Sequence, residues 1–283
     1  MGSPLAGKPR WLRVAAPRSP GYLAVRQVIR QQQLNTVCES ASCPNRGHCW
    51  GEGHAAFMIL GGVCTRNCAF CDVESGRPGP VDPQEPERLA QAVAALGLTY
   101  VVITSVNRDD LDDGGAGQFA ACLQRLRQSQ PTPRIEVLTP DFRGSPGALA
   151  RVLEVGPDVF NHNIETVPRL YPLVRPGAVY ADSLDLLRRA ALWTPQVGIK
   201  SGLILGMGET YEEILAVLKE LREVGVAFLT MGQYLRPSLR HHPVANYWPP
   251  EFFVQLKSQA LALGFLQVQS HPLARSSYMA GKT

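Results

Sequence analysis

Residues 64–71 read Cys64-Thr65-Arg66-Asn67-Cys68-Ala69-Phe70-Cys71. The CxxxCxxC spacing puts three thiolates into one short loop. Soft sulfur donors in that number can hold three corners of a 4Fe-4S cube, and thiolates also suit zinc. Ferredoxin-type runs bring a fourth cysteine and this run brings none, so one iron of a cube stays open to another ligand. A structural zinc site closes four ligands. The run therefore reads first as an iron–sulfur site, with a zinc staple as the alternative.

A second triplet precedes it: Cys38-Glu39-Ser40-Ala41-Ser42-Cys43-Pro44-Asn45-Arg46-Gly47-His48-Cys49. Pro44 and Gly47 mark this CxxxxCxxxxxC stretch as a loop. It again lacks a fourth ligand. His48 is an available donor, and a solvated loop histidine is its plainer reading. Six of the seven cysteines fall in these two triplets, and Cys122 sits alone in a helical pattern as a small apolar residue. An odd count clustered at ligand spacing speaks for metal and a reducing, cytoplasmic setting rather than a disulfide framework.

The chain of 283 residues is 45% hydrophobic and 18% charged, enough to build a sizeable core in one or two domains. The net charge of +4 comes without any basic run interleaved with aromatics, so nucleic acid is not indicated. No apolar run is long enough to span a bilayer, and residues 1–8 carry no apolar leader segment.

Residues 1–53 read as an N-terminal extension with one helix over 21–33. From residue 54 the pattern becomes regular. Strands are expected at 55–60, 99–105, 134–139, 159–164, 197–205 and 228–234, with a final short strand at 265–269. Helices are expected at 85–96, 118–127, 147–155, 183–193, 211–224 and 250–263. Alternation of this kind predicts parallel βαβ units with right-handed crossovers, curled into an open, partial (β/α)6 barrel over 54–240. A C-terminal extension follows over 241–283. The polar clusters fall at the C-terminal ends of the predicted strands, where barrels of this kind place their sites.

The Cys64 triplet, with Phe70 before its last cysteine, resembles the radical S-adenosylmethionine (SAM) enzymes. Gly202-Leu203-Ile204-Leu205-Gly206-Met207-Gly208-Glu209 fits their GxIxGxxE pattern. The resemblance implies that the open iron chelates the amino and carboxylate groups of SAM. It implies an adenine contact around Gly206, and SAM-binding polar groups at Asn107, Asp109, Asn163 and Glu165. Arg175 and Lys200 are cations that suit the methionine carboxylate. For Arg175 and Lys200 a surface ion pair is an equal alternative, for the Asp109 stretch a loop of solvated carboxylates is the alternative, and Glu209 equally suits the first turn of the next helix.

Taken together, the two triplets and Arg275-Ser276-Ser277-Tyr278 near the C-terminus resemble the lipoyl synthase family. The likeness runs from Lys8-Pro9-Arg10-Trp11 to Tyr278-Met279-Ala280. It implies two 4Fe-4S clusters, one on Cys64, Cys68 and Cys71 and an auxiliary one on Cys38, Cys43 and Cys49. Ser277 would supply the auxiliary cluster's fourth ligand, with Ser276 in reserve. The implied reaction inserts sulfur at C6 and C8 of an octanoyl chain on a carrier-domain lysine. The implied partners are octanoylated carrier domains, namely 2-oxoacid dehydrogenase E2 subunits and the glycine cleavage H protein, and an electron donor such as ferredoxin or flavodoxin. Ser42, Arg46, His48 and the pair Ser270-His271 depart from the family pattern without touching a ligand position. The rivals are a ferredoxin-type carrier, which would carry four cysteines per cluster, a zinc-stapled binding module, and a biotin synthase-like or methylthiotransferase-like enzyme, against which the terminal RSSY speaks.

Overall fold

The computed structural model describes residues 8–14, 19–129, 131–193 and 196–281. Residues 1–7, most of the stretch read for a leader, lie outside the described residues. Ten strands form: β1 (Asn35–Thr36), β2 (Ala56–Ile59), β3 (Val63–Cys64), β4 (Glu74–Ser75), β5 (Tyr100–Ser105), β6 (Arg134–Leu138), β7 (Val159–Asn161), β8 (Gly198–Leu205), β9 (Phe228–Gln233) and β10 (Gln267–Ser270). The helices are α1 (Pro20–Gln31), α2 (Val37–Ser40), α3 (Arg46–Gly51), α4 (Glu85–Ala95), α5 (Ala116–Arg127), α6 (Pro146–Glu154), α7 (Tyr171–Val174), α8 (Tyr180–Trp193), α9 (Tyr211–Glu223) and α10 (Pro250–Ala262).

The main sheet runs β1-β2-β5-β6-β7-β8-β9-β10, and β3 pairs with β4 apart from it. From β2 to β10 every neighbouring pair is parallel. The sheet is therefore a partial barrel, open between β1 and β10. The last predicted strand does form, at 267–270, and brings the parallel strands to seven. β1 adds an antiparallel edge that two residues were too short to announce.

The crossover helices bury one apolar stripe each. In α9, Ile214, Val217, Leu218 and Leu221 face the sheet. Its start is fixed by a reciprocal cap: Glu213 N–H donates to Thr210 Oγ1 at 3.2 Å and Thr210 N–H to Glu213 Oε2 at 2.8 Å. The strands are buried on both faces, as parallel sheets are; Val101, Ile103, Ile135, Val137 and Phe160 are fully enclosed.

Two expectations change. Residues 38–49, read as a loop, contain α2 and the start of α3, with Gly47 inside the latter. Thr36 caps α2 by accepting the Glu39 N–H at 3.3 Å. The fourth predicted strand, read to residue 164, ends at Asn161. There Ile164 N–H turns to Ser201 Oγ at 3.1 Å, and Glu165 adopts φ +67, a left-handed backbone that non-glycine residues rarely take.

Candidate functional site

The Cys64 triplet sits beyond the C-terminal ends of β2 and β5. Cys64 closes β3, and its Sγ accepts from Asn107 N–H at 3.3 Å and Arg66 N–H at 3.4 Å. The loop is tied down on all sides. Ala69 N–H donates to Val174 O at 2.9 Å, His242 N–H donates to Ala69 O at 2.8 Å, and His241 Nε2 meets Cys71 O at 3.1 Å. Arg66 gives the firmest tie. It donates to Asp109 at 2.7 and 2.8 Å and to Asp141 at 2.5 and 2.8 Å. That double fork anchors the cysteine loop to the ends of β5 and β6.

The second triplet lies at the open edge of the sheet. Burial, followed by the nearby Cys43, pushes the Cys38 thiol up to about 12. Burial pushes Cys49 up to about 11, against the Met279 N–H that points at its sulfur. The buried Trp50 indole N–H points toward Cys38 and favours its ionised form. The C-terminal tail lies on this triplet: Asn45 Nδ2 donates to Leu273 O at 2.5 Å, and Tyr278 Oη meets His48 Nδ1 at 3.2 Å. His48 is exposed and occupied by the Tyr278 contact. The two extensions, more than two hundred residues apart in sequence, thus meet where the sheet is open.

Between the triplets runs one cavity of about 560 Å³. Its walls include Cys38, Cys43, Cys64, Cys68, Cys71 and Ser277. Cys49 is buried behind it. Burial raises Cys68 to about 11 and Cys71 to about 12, with the neighbouring cysteines of the triplet also raising each. All six cysteines are free thiols. Among the described residues no three His, Cys, Asp or Glu side chains converge as a single-ion site requires. The donor set fits a group larger than one ion: two trios of soft donors, uncommitted to each other, with five of the six cysteines on the wall of a shared space.

The predicted SAM-contacting residues divide. Phe70, Asn107, Asn163, Glu165 and Arg175 all line the cavity. Asn163 Nδ2 donates to Glu165 Oε1 at 3.0 Å, and burial raises the Glu165 carboxyl. Arg175 donates to Tyr171 Oη at 2.8 Å and Asn163 O at 3.2 Å. Three others do something different from what was expected. Asp109 has both oxygens on Arg66 instead of facing an ammonium. Lys200 lies against Glu136 at 2.9 and 3.1 Å rather than toward the cavity. Gly206 is away from the cavity wall. A side chain there would strike Gln233 Nε2 and Asn246 O, and its N–H donates to Glu209 at 2.5 Å. Glu209 is not a first-turn residue of α9. It is buried and gathers the N–H groups of Gly206, Met207 and Gly208 and the Trp248 indole.

Sequence reasoning missed Asp141, Glu136 and His162. His162 is buried with its Nδ1 at 2.8 Å from Thr139 O and its Nε2 at 3.0 Å from Ser183 Oγ. Its only signal was a histidine between two asparagines at a strand end. Asp141 and Glu136 gave none, because their partners lie 75 and 64 residues away.

The Radical SAM superfamily model matches residues 58–232. A lipoyl synthase of Thioalkalivibrio sulfidiphilus (strain HL-EbGR7) is 55% identical over 274 residues, covering 96% of this chain and 86% of that protein. A lipoyl synthase of Xylella fastidiosa (strain M12) is 53% identical over 281 residues, covering 98% and 75%. Among solved structures, methylornithine synthase (PylB) shares the fold at TM-score 0.56 and 14% identity, covering 89% of this chain and 82% of that one. Coproporphyrinogen III oxidase from Escherichia coli does so at TM-score 0.52 and 15% identity, covering 72% and 51%.

Proposed function

The chain belongs to the lipoyl synthase family of the radical SAM superfamily, and from that premise we propose that its two cysteine triplets divide one sulfur-insertion reaction between them. The enzyme inserts two sulfur atoms, at C6 and C8, into an octanoyl chain held in amide linkage to a lysine of a lipoyl carrier protein. It uses SAM and a 4Fe-4S cluster. A second 4Fe-4S cluster belongs to the proposal. When bound, these groups would supply the chemistry: an electron to cleave SAM, removal of one hydrogen atom from carbon per insertion, and a sulfide whose bonding to that carbon returns one electron to the irons of its cluster.

The chain's own residues hold and shield that chemistry. Cys64, Cys68 and Cys71 hold the SAM-cleaving cluster, and Arg66 keeps their loop in place. Asn107, Asn163, Glu165 and Arg175 offer the polar wall that an amino acid and a ribose require. Cys38, Cys43, Cys49 and Ser277 hold the auxiliary cluster. The observation that carries this reading is the one cavity walled by cysteines of both triplets and by Ser277. A carbon in that space faces both triplets, and geometry matters here because a misplacement of about 1 Å can lower a rate roughly 100-fold. The apolar wall of Phe70, Val106, Leu203 and Leu235 keeps stray water from a reactive carbon.

Ser277 is the stronger choice for the oxygen ligand. Both serines line the cavity, but the Ser276 hydroxyl already donates to Asn163 Oδ1 at 2.7 Å, whereas among the described residues Ser277 makes no hydrogen bond. An oxygen donor among thiolates leaves one iron the most readily lost, which suits a cluster that gives up sulfide.

On this reading the chain divides into an extension with the auxiliary triplet over 1–53, the barrel over 54–240 and a C-terminal extension over 241–283. The carrier domains are those of 2-oxoacid dehydrogenase E2 subunits and the glycine cleavage H protein, and ferredoxin or flavodoxin supplies electrons in the cytoplasm. Among the described residues no helix is long and apolar enough to cross a membrane.

An anaerobic assay with an octanoyl-lysyl peptide tests the division. The wild-type protein gives a peptide heavier by two sulfur atoms, and replacing Cys64, Cys68 and Cys71 with alanine abolishes SAM cleavage. Continued SAM cleavage in that variant would sink the assignment.

A further inference from the structure

Glu136 of β6 is 1% exposed. It is fully engaged. Tyr100 Oη donates to its Oε2 at 2.8 Å, Asn161 Nδ2 to its Oε1 at 2.8 Å, and Lys200 Nζ to both oxygens at 2.9 and 3.1 Å. The same Lys200 ammonium donates to the Ser276 carbonyl oxygen at 2.6 Å. Lys200 is largely covered, its side chain 12% exposed, with its charge balanced by a carboxylate and one proton left for the tail.

Two glycines prepare the same spot. A Cβ at Gly202 of β8 would lie 2.9 Å from Ser276 Oγ and 2.9 Å from Asn163 Oδ1. A Cβ at Gly232 of β9 would collide with the Ala274 carbonyl. Both strands are therefore bare where the tail lies against them, and the tail approaches to backbone distance. Ser276 Oγ then donates to Asn163 Oδ1 at 2.7 Å, which fixes the segment from a second side. Gly202, first of the glycines in the GxIxGxxE pattern, makes room for the tail.

We propose that Lys200, charge-balanced by Glu136, is a positioning residue that latches the Ala274–Ser276 backbone into a glycine-lined cradle on β8 and β9, and so aims the next residue, Ser277, at the auxiliary triplet. The latch accounts for a lysine 76 residues from the tail it touches. It also accounts for the Ser276 hydroxyl being held on Asn163 at the cavity wall while Ser277 beside it carries no such bond among the described residues. The role of Ser277 as a ligand rests on the function proposed above; the latch itself rests on the contacts of Lys200 and the two glycines.

Hydrogen exchange on the anaerobically purified, full-length protein tests it. Lys200→Met is combined with Glu136→Gln, so that no unpaired carboxylate is left buried. Loss of a charge-assisted hydrogen bond should speed exchange of the 274–280 amides by roughly tenfold or more, with the 64–71 loop unchanged. Gly232→Ala, which alters no charge, should loosen the same amides. Wild-type exchange across 274–280 in both variants overturns the latch. Ser277→Ala, measured in parallel, separates the two claims. It should keep the tail amides at the wild-type rate while changing the spectrum and iron content of the auxiliary cluster. An unchanged spectrum would fault the ligand assignment and leave the latch standing on the exchange data.

Discussion

Arg66 Nη1 lies 2.5 Å from Asp141 Oδ2, and the two side chains are 8% and 5% exposed. The pair ties the cysteine loop after β3 to the end of β6. Burial opposes the Asp141 carboxylate, but the Arg66 hydrogen bonds and charge prevail and hold its pKa at about 2. Removing one partner of a buried pair strands the other charge. Arg66→Met should therefore destabilise the apoprotein by about 3–5 kcal/mol in urea unfolding. A loss under about 1 kcal/mol, the size of an exposed pair, would show that the fork is incidental.

The buried His162 predicts an acid limb. Burial lowers it from 6.5 to about 4, so the folded protein holds a neutral ring while the unfolded chain takes up a proton first. This contribution is intact above pH 6.5 and is lost as pH falls toward about 4, amounting to about 3 kcal/mol by then. The neutral ring donates from Nδ1 to Thr139 O and accepts the Ser183 hydroxyl at Nε2. His162→Gln should flatten the dependence of unfolding free energy on pH across that window. A variant with the wild-type slope would place the acid limb elsewhere.

The Cys38 triplet should be dispensable for making radicals and indispensable for using them. Replacing Cys38, Cys43 and Cys49 together is expected to leave SAM cleavage intact, to lower iron content to about half, and to yield no thiolated peptide. Lipoyl product from this variant would refute the separation of roles.

Changing the oxygen ligand should change how readily iron departs. Ser277→Cys is expected to keep a full auxiliary cluster and to insert sulfur slowly, because a fourth thiolate holds iron more tightly than an alkoxide does. Equal rates for Ser277→Cys and wild type, with equal cluster content, would argue against lability at Ser277.

The sequence showed what is local. Runs such as Tyr100–Ser105 and the stripe of α9 announced strands and helices within a few residues of their ends, because burial on a parallel sheet leaves a plain pattern. Both triplets were legible because ligand spacing is itself local. Side-chain partners across the barrel were not. Asp109 and Lys200 carry the right charges for SAM, but a carboxylate cannot reveal an arginine 43 residues away, nor a lysine a glutamate 64 away. The short helices α2 and α3 were hidden for another reason. Helices of 4 and 6 residues have no periodicity to read and are held by Thr36 and by packing of Trp50 on Tyr22.

The central claim is that sulfur leaves the cluster on Cys38, Cys43, Cys49 and Ser277 and enters the octanoyl chain. Protein reconstituted with heavy-isotope sulfide, freed of excess sulfide and given one equivalent of octanoyl-lysyl peptide with SAM and a low-potential reductant in excess under anaerobic conditions, tests it most directly by the product's mass. The account predicts both inserted sulfurs heavy, with auxiliary iron released in step. Product carrying light sulfur, or heavy product from protein lacking the Cys38 triplet, would contradict it.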